Sequence, residues 1–217
     1  MDIYDAIYNR KSIRGFKPDP VPKEVIKDVL QAGVQAPSAM NTQPWELTVV
    51  TGDTLEKIKE ENLKNLAATE EFFDYKYEGI YRERQVKLAK QLFQLMGISR
   101  DDKEKRNEWL KRGFRFFDAP VAIIISMDMS MEGSWAVFDI GCLAQTICLA
   151  ALKHELGTCI EVQGVTYEKV IKKYTGLPGS QNVIMGIALG YPDWEFPANK
   201  VESTREDVDN ITRWMGF

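Results

Sequence analysis

Histidine is all but missing from this chain: His154 is the one example in 217 residues, and it stands between Lys153 and Glu155 at the end of an apolar stretch. A Ser-His-Asp or Cys-His hydrolytic mechanism would have to run through that imidazole, whose setting reads instead as a helix end. Cysteine is nearly as scarce. Cys142, Cys148 and Cys159 are odd in number, lack the paired spacing of metal ligands and lie among apolar residues. They indicate neither a zinc site nor a disulfide framework, but reduced core thiols of a cytoplasmic protein. No Gly-x-Gly-x-x-Gly follows a strand and no Walker loop occurs, which argues against a classical Rossmann dehydrogenase or a nucleotide triphosphatase. The opening Met1-Asp2-Ile3-Tyr4-Asp5 carries acids where a secretory signal carries positive charge, so export is not expected.

Excess positive charge is also lacking. Lys and Arg total 28 against 32 Asp and Glu, a net charge of −4, and this removes any general attraction to nucleic acid or anionic lipid. The one candidate membrane segment, Trp135 to Leu152, is interrupted by Asp139 and Gln145 and closed by Lys153, His154 and Glu155. It reads as a buried helix rather than a span. With 44% hydrophobic residues, positions 1–217 can bury the core of one domain.

What is present has a clear order. Val21 to Ala36, with Pro22 near its start and Val25, Ile26, Val29, Leu30 and Gly33 at helical intervals, predicts an amphipathic helix. Glu46 to Val50 predicts a strand, broken by Gly52-Asp53 before a helix that Asp53 can cap with Glu56 in the capping-box position. Residues 67–115 predict a helical excursion broken near Gly97, Ser99 and Asp101. Its aromatics Phe72, Phe73, Tyr75, Tyr77, Tyr81, Phe93 and Trp109 either line a pocket or pack the helices. Pro120 precedes Val121 to Ile125, an unbroken β-branched run that predicts a central strand covered on both faces. A long apolar helix from Ser134 to Glu155, ended by Gly157, a strand at Thr158 to Val162, a helix at Thr166 to Tyr174 and a strand at Asn182 to Gly190 complete the reading. Strands alternating with helices indicate a sheet with helices on its faces, in the α+β or α/β range. The tail from Tyr191 to Phe217 is too polar for a core of its own yet ends in Trp214, Met215 and Phe217. Two copies exchanging tails would cover those side chains.

The chemistry concentrates in two segments. Arg10, Lys11, Ser12 and Arg14 gather cations and a hydroxyl beside a short apolar stretch, a set suited to one specific anion. Arg10 and, from the tail, Arg205 can offer forked donors to a dianionic phosphate, and Ser12 adds an O–H. Arg14, two residues on in an extended chain, points the same way as Ser12 and suits the pyrimidine edge of a flavin. Ala36-Pro37-Ser38-Ala39-Met40-Asn41-Thr42-Gln43-Pro44-Trp45 adds a closely approaching backbone, amides and an aromatic plane. Phosphate, polar chain and flat ring together describe flavin mononucleotide (FMN).

These segments, with Asp118-Ala119-Pro120-Val121 and Ile187-Ala188-Leu189-Gly190-Tyr191-Pro192 in the same order, resemble the FMN-dependent nitroreductase family from Ile3 to the C-terminus. The resemblance implies an α+β fold, three layers α/β/α around a mostly antiparallel sheet, with the C-terminal tail exchanged in a homodimer that holds two FMN at its interface. It implies reduction of nitroaromatics, quinones or similar flat acceptors by NADH or NADPH in ping-pong turnover, with hydride chemistry on FMN and no catalytic side chain. Carried over by motif, Arg10, Lys11, Ser12 and Arg14 bind phosphate and the flavin's polar edge, with Arg14 tuning N1 and O2. Pro37, Ser38, Ala39 and Asn41 come from the partner subunit, Glu161 and Val162 bring backbone to N5, and Arg205 reaches the phosphate. The chain departs from the pattern at Glu202, where many members carry a second cation; Lys200 is the available substitute. Residues 77–106, including Leu92 to Ile98 and Arg100, look most like the nitrobenzoate-reductase branch. Iodotyrosine deiodinases, which are reductive dehalogenases, and the flavin-cleaving enzyme of cobalamin-ligand synthesis share the first two motifs. From other classes, a non-catalytic FMN-binding protein and a cofactor-free dimeric interaction module are the alternatives.

Overall fold

A computed structural model of the chain describes residues 2–68, 77–131 and 133–217. Its centre is a four-stranded, wholly antiparallel sheet of β1 (Glu46–Thr51), β2 (Val121–Asp128), β3 (Gly157–Glu161) and β4 (Gln181–Gly190) in the order β1-β2-β4-β3. Register aligns Val49, Ile123, Ile187 and Ile160 across the four strands. The β-branched run in β2 is continuous because this strand is interior and covered on both faces; Ile123, Ile124 and Ile125 are fully buried. Each such side chain contributes about 1.5–3 kcal/mol on leaving water.

Period-2 alternation divides β2 between two cores. Ile123 and Ile125 face α2 (Lys23–Gly33) and α6 (Ser134–Ala151), joined there by Val29, Leu143 and Ile147. Ala122 and Ile124 face the layer of α3 (Gly52–Ala67) and α7 (Glu168–Thr175), with Leu55, Ile58 and Ile171. Around this frame lie α1 (Ile3–Asn9), α4 (Gly79–Leu95), α5 (Lys103–Phe114) and α8 (Val208–Ile211). The expected α+β, three-layer arrangement is therefore present, and the break in the excursion falls between α4 and α5.

Two expected boundaries differ. Asp53 lies inside the first turn of α3, whose N-cap is Thr51 with no side-chain cap bond. Glu155, at φ 58°, supplies the left-handed stop after α6; Gly157 instead opens β3, where a Cβ would sit 2.6 Å from the Ile13 side chain. That close approach seats the N-terminal segment against β3. Among the excursion aromatics, Phe72, Phe73 and Tyr75 lie outside the described residues. Tyr77 and Tyr81 are exposed, Phe93 lies under Arg106 and Trp109 packs against Phe117.

The helix around Trp135–His154 is long and apolar enough to cross a membrane, but its buried side carries Ile140, Leu143 and Ile147 into the core beside α2. Its other side leaves Trp135 and Phe138 exposed. The terminal Trp214, Met215 and Phe217 are also exposed, and α1 buries nothing. The outer edge of β1 pairs with no strand among the described residues. Beside it runs a groove of ≈ 530 Å³ lined by Val21, Ile26, Leu30, Val34 and Val49.

Candidate functional site

A capping box between Asp2 and Asp5 starts α1, and Arg10 ends it by donating its N–H to the Ala6 carbonyl at 3.0 Å. The chain then runs extended along the outer edge of β3. Ser12 bridges Thr158 in parallel, and the Ile13 N–H donates to the Thr158 carbonyl at 2.9 Å. Alternation turns Ile13 into the core at 2% exposure and leaves Ser12 and Arg14 half-buried on the opposite face. Residues 12 and 13 are thus fastened to Thr158, on the same strand that ends three residues later at Glu161.

The charge on this segment is unspent. Arg10, Lys11 and Arg14 are half-buried, and no carboxylate among the described residues pairs with any of them, whereas Lys59, Arg84, Arg112, Arg115, Lys153, Lys172 and Lys173 all have acidic partners. The Arg14 guanidinium donates to the Ser12 carbonyl at 3.3 Å and lies 5.9 Å from the Phe117 ring centre. Three cations without counter-charge beside a hydroxyl fit a dianionic phosphate joined to a polar ring edge. FMN therefore suits the donor set.

At the end of β3 the Glu161 side chain turns inward, 8% exposed, while the neighbouring Val162 is 44% exposed. One carboxyl oxygen accepts the Gly164 N–H at 2.7 Å; the other has no hydrogen-bond partner among the described residues. Burial pushes this carboxyl up to about 8, against the opposing pull of the Gly164 and Gln163 N–H groups, so near neutrality it is held largely as the acid. Asn62 donates to the Gly164 carbonyl at 2.7 Å, so the peptide groups flanking Gly164 are clamped from both sides. Hydrogen bonds on both sides of Gly164 thus restrain the turn after β3.

The second motif forms a tight loop after α2. Ser38 Oγ accepts the Gln43 N–H at 3.0 Å, and the Ala39 N–H donates to Asp139 on α6 at 3.0 Å. Met40, Asn41 and Gln43 adopt φ of 51°, 57° and 46°, a conformation costing about 1–3 kcal/mol per residue and maintained only under such restraint. Pro37 stands exposed at the loop's start and Met40 at its tip. No hydrogen bond or ion pair among the described residues links this loop to residues 10–14 within the chain. Nor is Arg205 linked to them: it is exposed and donates to the Ser203 carbonyl, the Ser203 hydroxyl at 2.9 Å and the Thr204 carbonyl. Lys200 lies 3.7 Å from Glu195.

Three polar residues escape motif reading. Asp139 interrupts an apolar helix in sequence, and that interruption was the available signal. Asn199 and Arg112 hold the backbone of Arg14 from 185 and 98 positions away, and nothing local in sequence marks them.

The description Nitroreductase family matches residues 7–191. The chain is 36% identical to the nitrobenzene nitroreductase of Ectopseudomonas oleovorans over 98% of its own length and 96% of that protein. It is 31% identical to the 4-nitrobenzoate reductase of Pseudomonas putida over 100% and 97%. Among solved structures it resembles the FMN-dependent nitroreductase NfnB of Mycobacterium smegmatis in complex with NADPH, at TM-score 0.90 and 27% identity, covering 98% of this chain and 97% of that one.

Proposed function

The chain belongs to the nitroreductase family, and from that membership we propose that it is an FMN-dependent NAD(P)H oxidoreductase acting on nitroaromatic or similarly flat acceptors. The observation that carries the reading is the half-buried Arg10, Lys11 and Arg14 segment, without a carboxylate partner among the described residues and bridged to β3 at Ser12. Bound FMN supplies the hydride chemistry. The protein supplies position: Arg10, Lys11 and Ser12 hold phosphate, and Arg14 sets a positive charge at the pyrimidine edge. The clamped turn after Glu161 presents the backbone of Val162. Arg205 is a further phosphate donor from the tail. The nitroaromatic names of both relatives at 31–36% identity favour that acceptor class over halogenated aromatics.

The test is spectroscopic. Purified protein is expected to be yellow, to bleach anaerobically with NADPH or NADH, and to recover colour when 4-nitrobenzoate is added. Flavin that stays oxidised with both nicotinamides would favour storage, and colourless protein that takes up no FMN would leave only an interaction module. Arg14→Ala is expected to slow bleaching about a hundredfold, the scale of one lost electrostatic donor, with little change in FMN affinity. Arg205→Ala is expected to do the reverse, weakening FMN about tenfold, or about 1.4 kcal/mol. Stopped-flow bleaching and FMN titration of apoprotein separate these outcomes; equal effects in both assays would reject the division of roles.

We read residues 1–217 as one domain, because both cores share the same sheet. We also propose a homodimer with exchanged tails. Residues 212–217 are exposed or half-buried and carry Trp214, Met215 and Phe217, while the bare edge of β1 and its apolar groove offer a seat for an added strand. The exposed faces of α1 and α6 extend the surface that a second copy would cover. In that assembly Pro37, Ser38, Ala39 and Asn41 come from the partner, which accounts for their separation from residues 10–14 in one chain. Three unbridged thiols support a cytoplasmic setting.

A further inference from the structure

Arg14 is held by both of its backbone groups, and each holder is a side chain remote in sequence. Asn199, 1% exposed, accepts the Arg14 N–H on Oδ1 at 2.7 Å and donates through Nδ2 to the Gly15 carbonyl at 2.8 Å and the Asp193 carbonyl at 2.7 Å. Both amide protons and one acceptor site are used, so the orientation of this amide is fully specified. Arg112 donates through Nη2 to the Arg14 carbonyl at 3.1 Å and the Phe117 carbonyl at 3.3 Å, and its Nη1 meets Asp118 at 2.7 Å. Its guanidinium lies 4.6 Å from the centre of the Phe196 ring, and that same ring fills the space where a Cβ on Gly15 would stand. Asp118 belongs to a turn in which Phe116, Phe117 and Asp118 take φ of 54°, 53° and 61°, and Arg115 clamps its other oxygen at 2.7 Å. The result is a polar brace gripping the Arg14 and Gly15 peptides while the Arg14 side chain keeps most of its donors free.

We propose that Asn199 and Arg112 are positioning residues for the flavin site: they fix the Arg14 backbone, and with it the place where the Arg14 charge meets the flavin's pyrimidine edge. This rests on the FMN reading above. A guanidinium on a swinging backbone averages its charge over several positions, whereas one anchored on both sides delivers it to one place, and electrostatic preorganisation depends on that difference. Arg112 has a second property suited to the task. Its planar fork spans two carbonyls, one carboxylate and an aromatic face at once, a pattern that a lysine cannot reproduce.

The test uses the FMN-loaded protein and reads the two-electron midpoint potential of the bound flavin alongside FMN affinity. Arg112→Lys and Asn199→Ala are each expected to lower the potential by about 30 mV, corresponding to a tenfold loss in preference for the reduced over the oxidised cofactor. FMN affinity in the oxidised state is expected to change less than about threefold, as the phosphate donors are untouched. The deciding measurement repeats both substitutions in an Arg14→Ala background, where the shift they cause is expected to vanish because the group they position is gone. Shifts of equal size in both backgrounds would overturn the proposal while leaving the FMN reading intact. If Arg14→Ala itself fails to move the potential, the assignment of Arg14 falls and the brace with it; protein that binds no FMN rejects the functional reading at its root. Should Asn199→Ala not fold, the Arg112→Lys pair alone decides the matter, since it retains the charge beside Asp118.

Discussion

Val49→Lys is expected to raise the dissociation constant of the dimer about a thousandfold, or roughly 4 kcal/mol, while leaving the isolated chain folded. Val49 is 39% exposed on the outer strand β1 and lines the apolar groove beside α2, so in one chain a lysine there can reach water. In the proposed assembly the same position is covered by a partner's Trp214, Met215 or Phe217, and a buried unpaired ammonium at that contact is costly. A lysine on a bare edge strand is also a common way in which proteins keep such edges from pairing. Sedimentation equilibrium across micromolar concentrations checks the association, and a thermal melt checks the fold. FMN content is expected to fall with the dimer, because the loop at residues 37–41 would no longer complete the site. Trp214→Ala and Phe217→Ala are expected to weaken the dimer in the same direction. An unchanged dissociation constant in all three variants would place the interface elsewhere.

How far the sequence discloses this arrangement depends on how local each signal is. The β2 run Val121 to Ile125 declares its own burial, because five consecutive apolar residues suit a strand covered on both faces. Helix α2 does so by its spacing, and the Gly97 to Asp101 break marks the gap between α4 and α5. Boundaries set by backbone geometry are less visible. Asp53 looks like a cap, yet Gly52 enters the helix at φ 55° and shifts the cap to Thr51. Gly157 looks like a helix stop, yet tertiary packing against Ile13 explains it. The cation cluster is legible as a donor set, since residue types alone imply an anion. The residues that aim it are not: Asn199 and Arg112 act across 185 and 98 positions, and their role exists only once the chain is folded. The second motif shows the same division, its residues standing out in sequence while its left-handed turn and the Asp139 bond that restrains it do not.

Glu161→Gln is expected to flatten the dependence of stability on pH and to make the flavin-free protein several kcal/mol more stable than the unsubstituted chain at pH 9. Burial raises the Glu161 carboxyl from an ordinary 4.5 to about 8, so between those values the folded chain binds more protons than the unfolded one. Stability from this group is therefore complete below pH 4.5 and declines as pH climbs through 8. The decline is about 1.4 kcal/mol per pH unit and totals roughly 4–5 kcal/mol once the folded carboxyl has ionised. Among the described residues no cation forms an ion pair with Glu161, and one of its oxygens has no hydrogen-bond partner. An anion formed there has, among the described residues, the Gly164 and Gln163 N–H groups to stabilise it. Glutamine keeps the length and an oxygen for the Gly164 N–H, and it cannot ionise. Urea denaturation of both proteins at pH 5, 7 and 9 measures the effect. Curves for the two proteins that run parallel across this range would show that the carboxyl ionises without strain, and would remove the account of a turn restrained by a neutral acid beneath Val162.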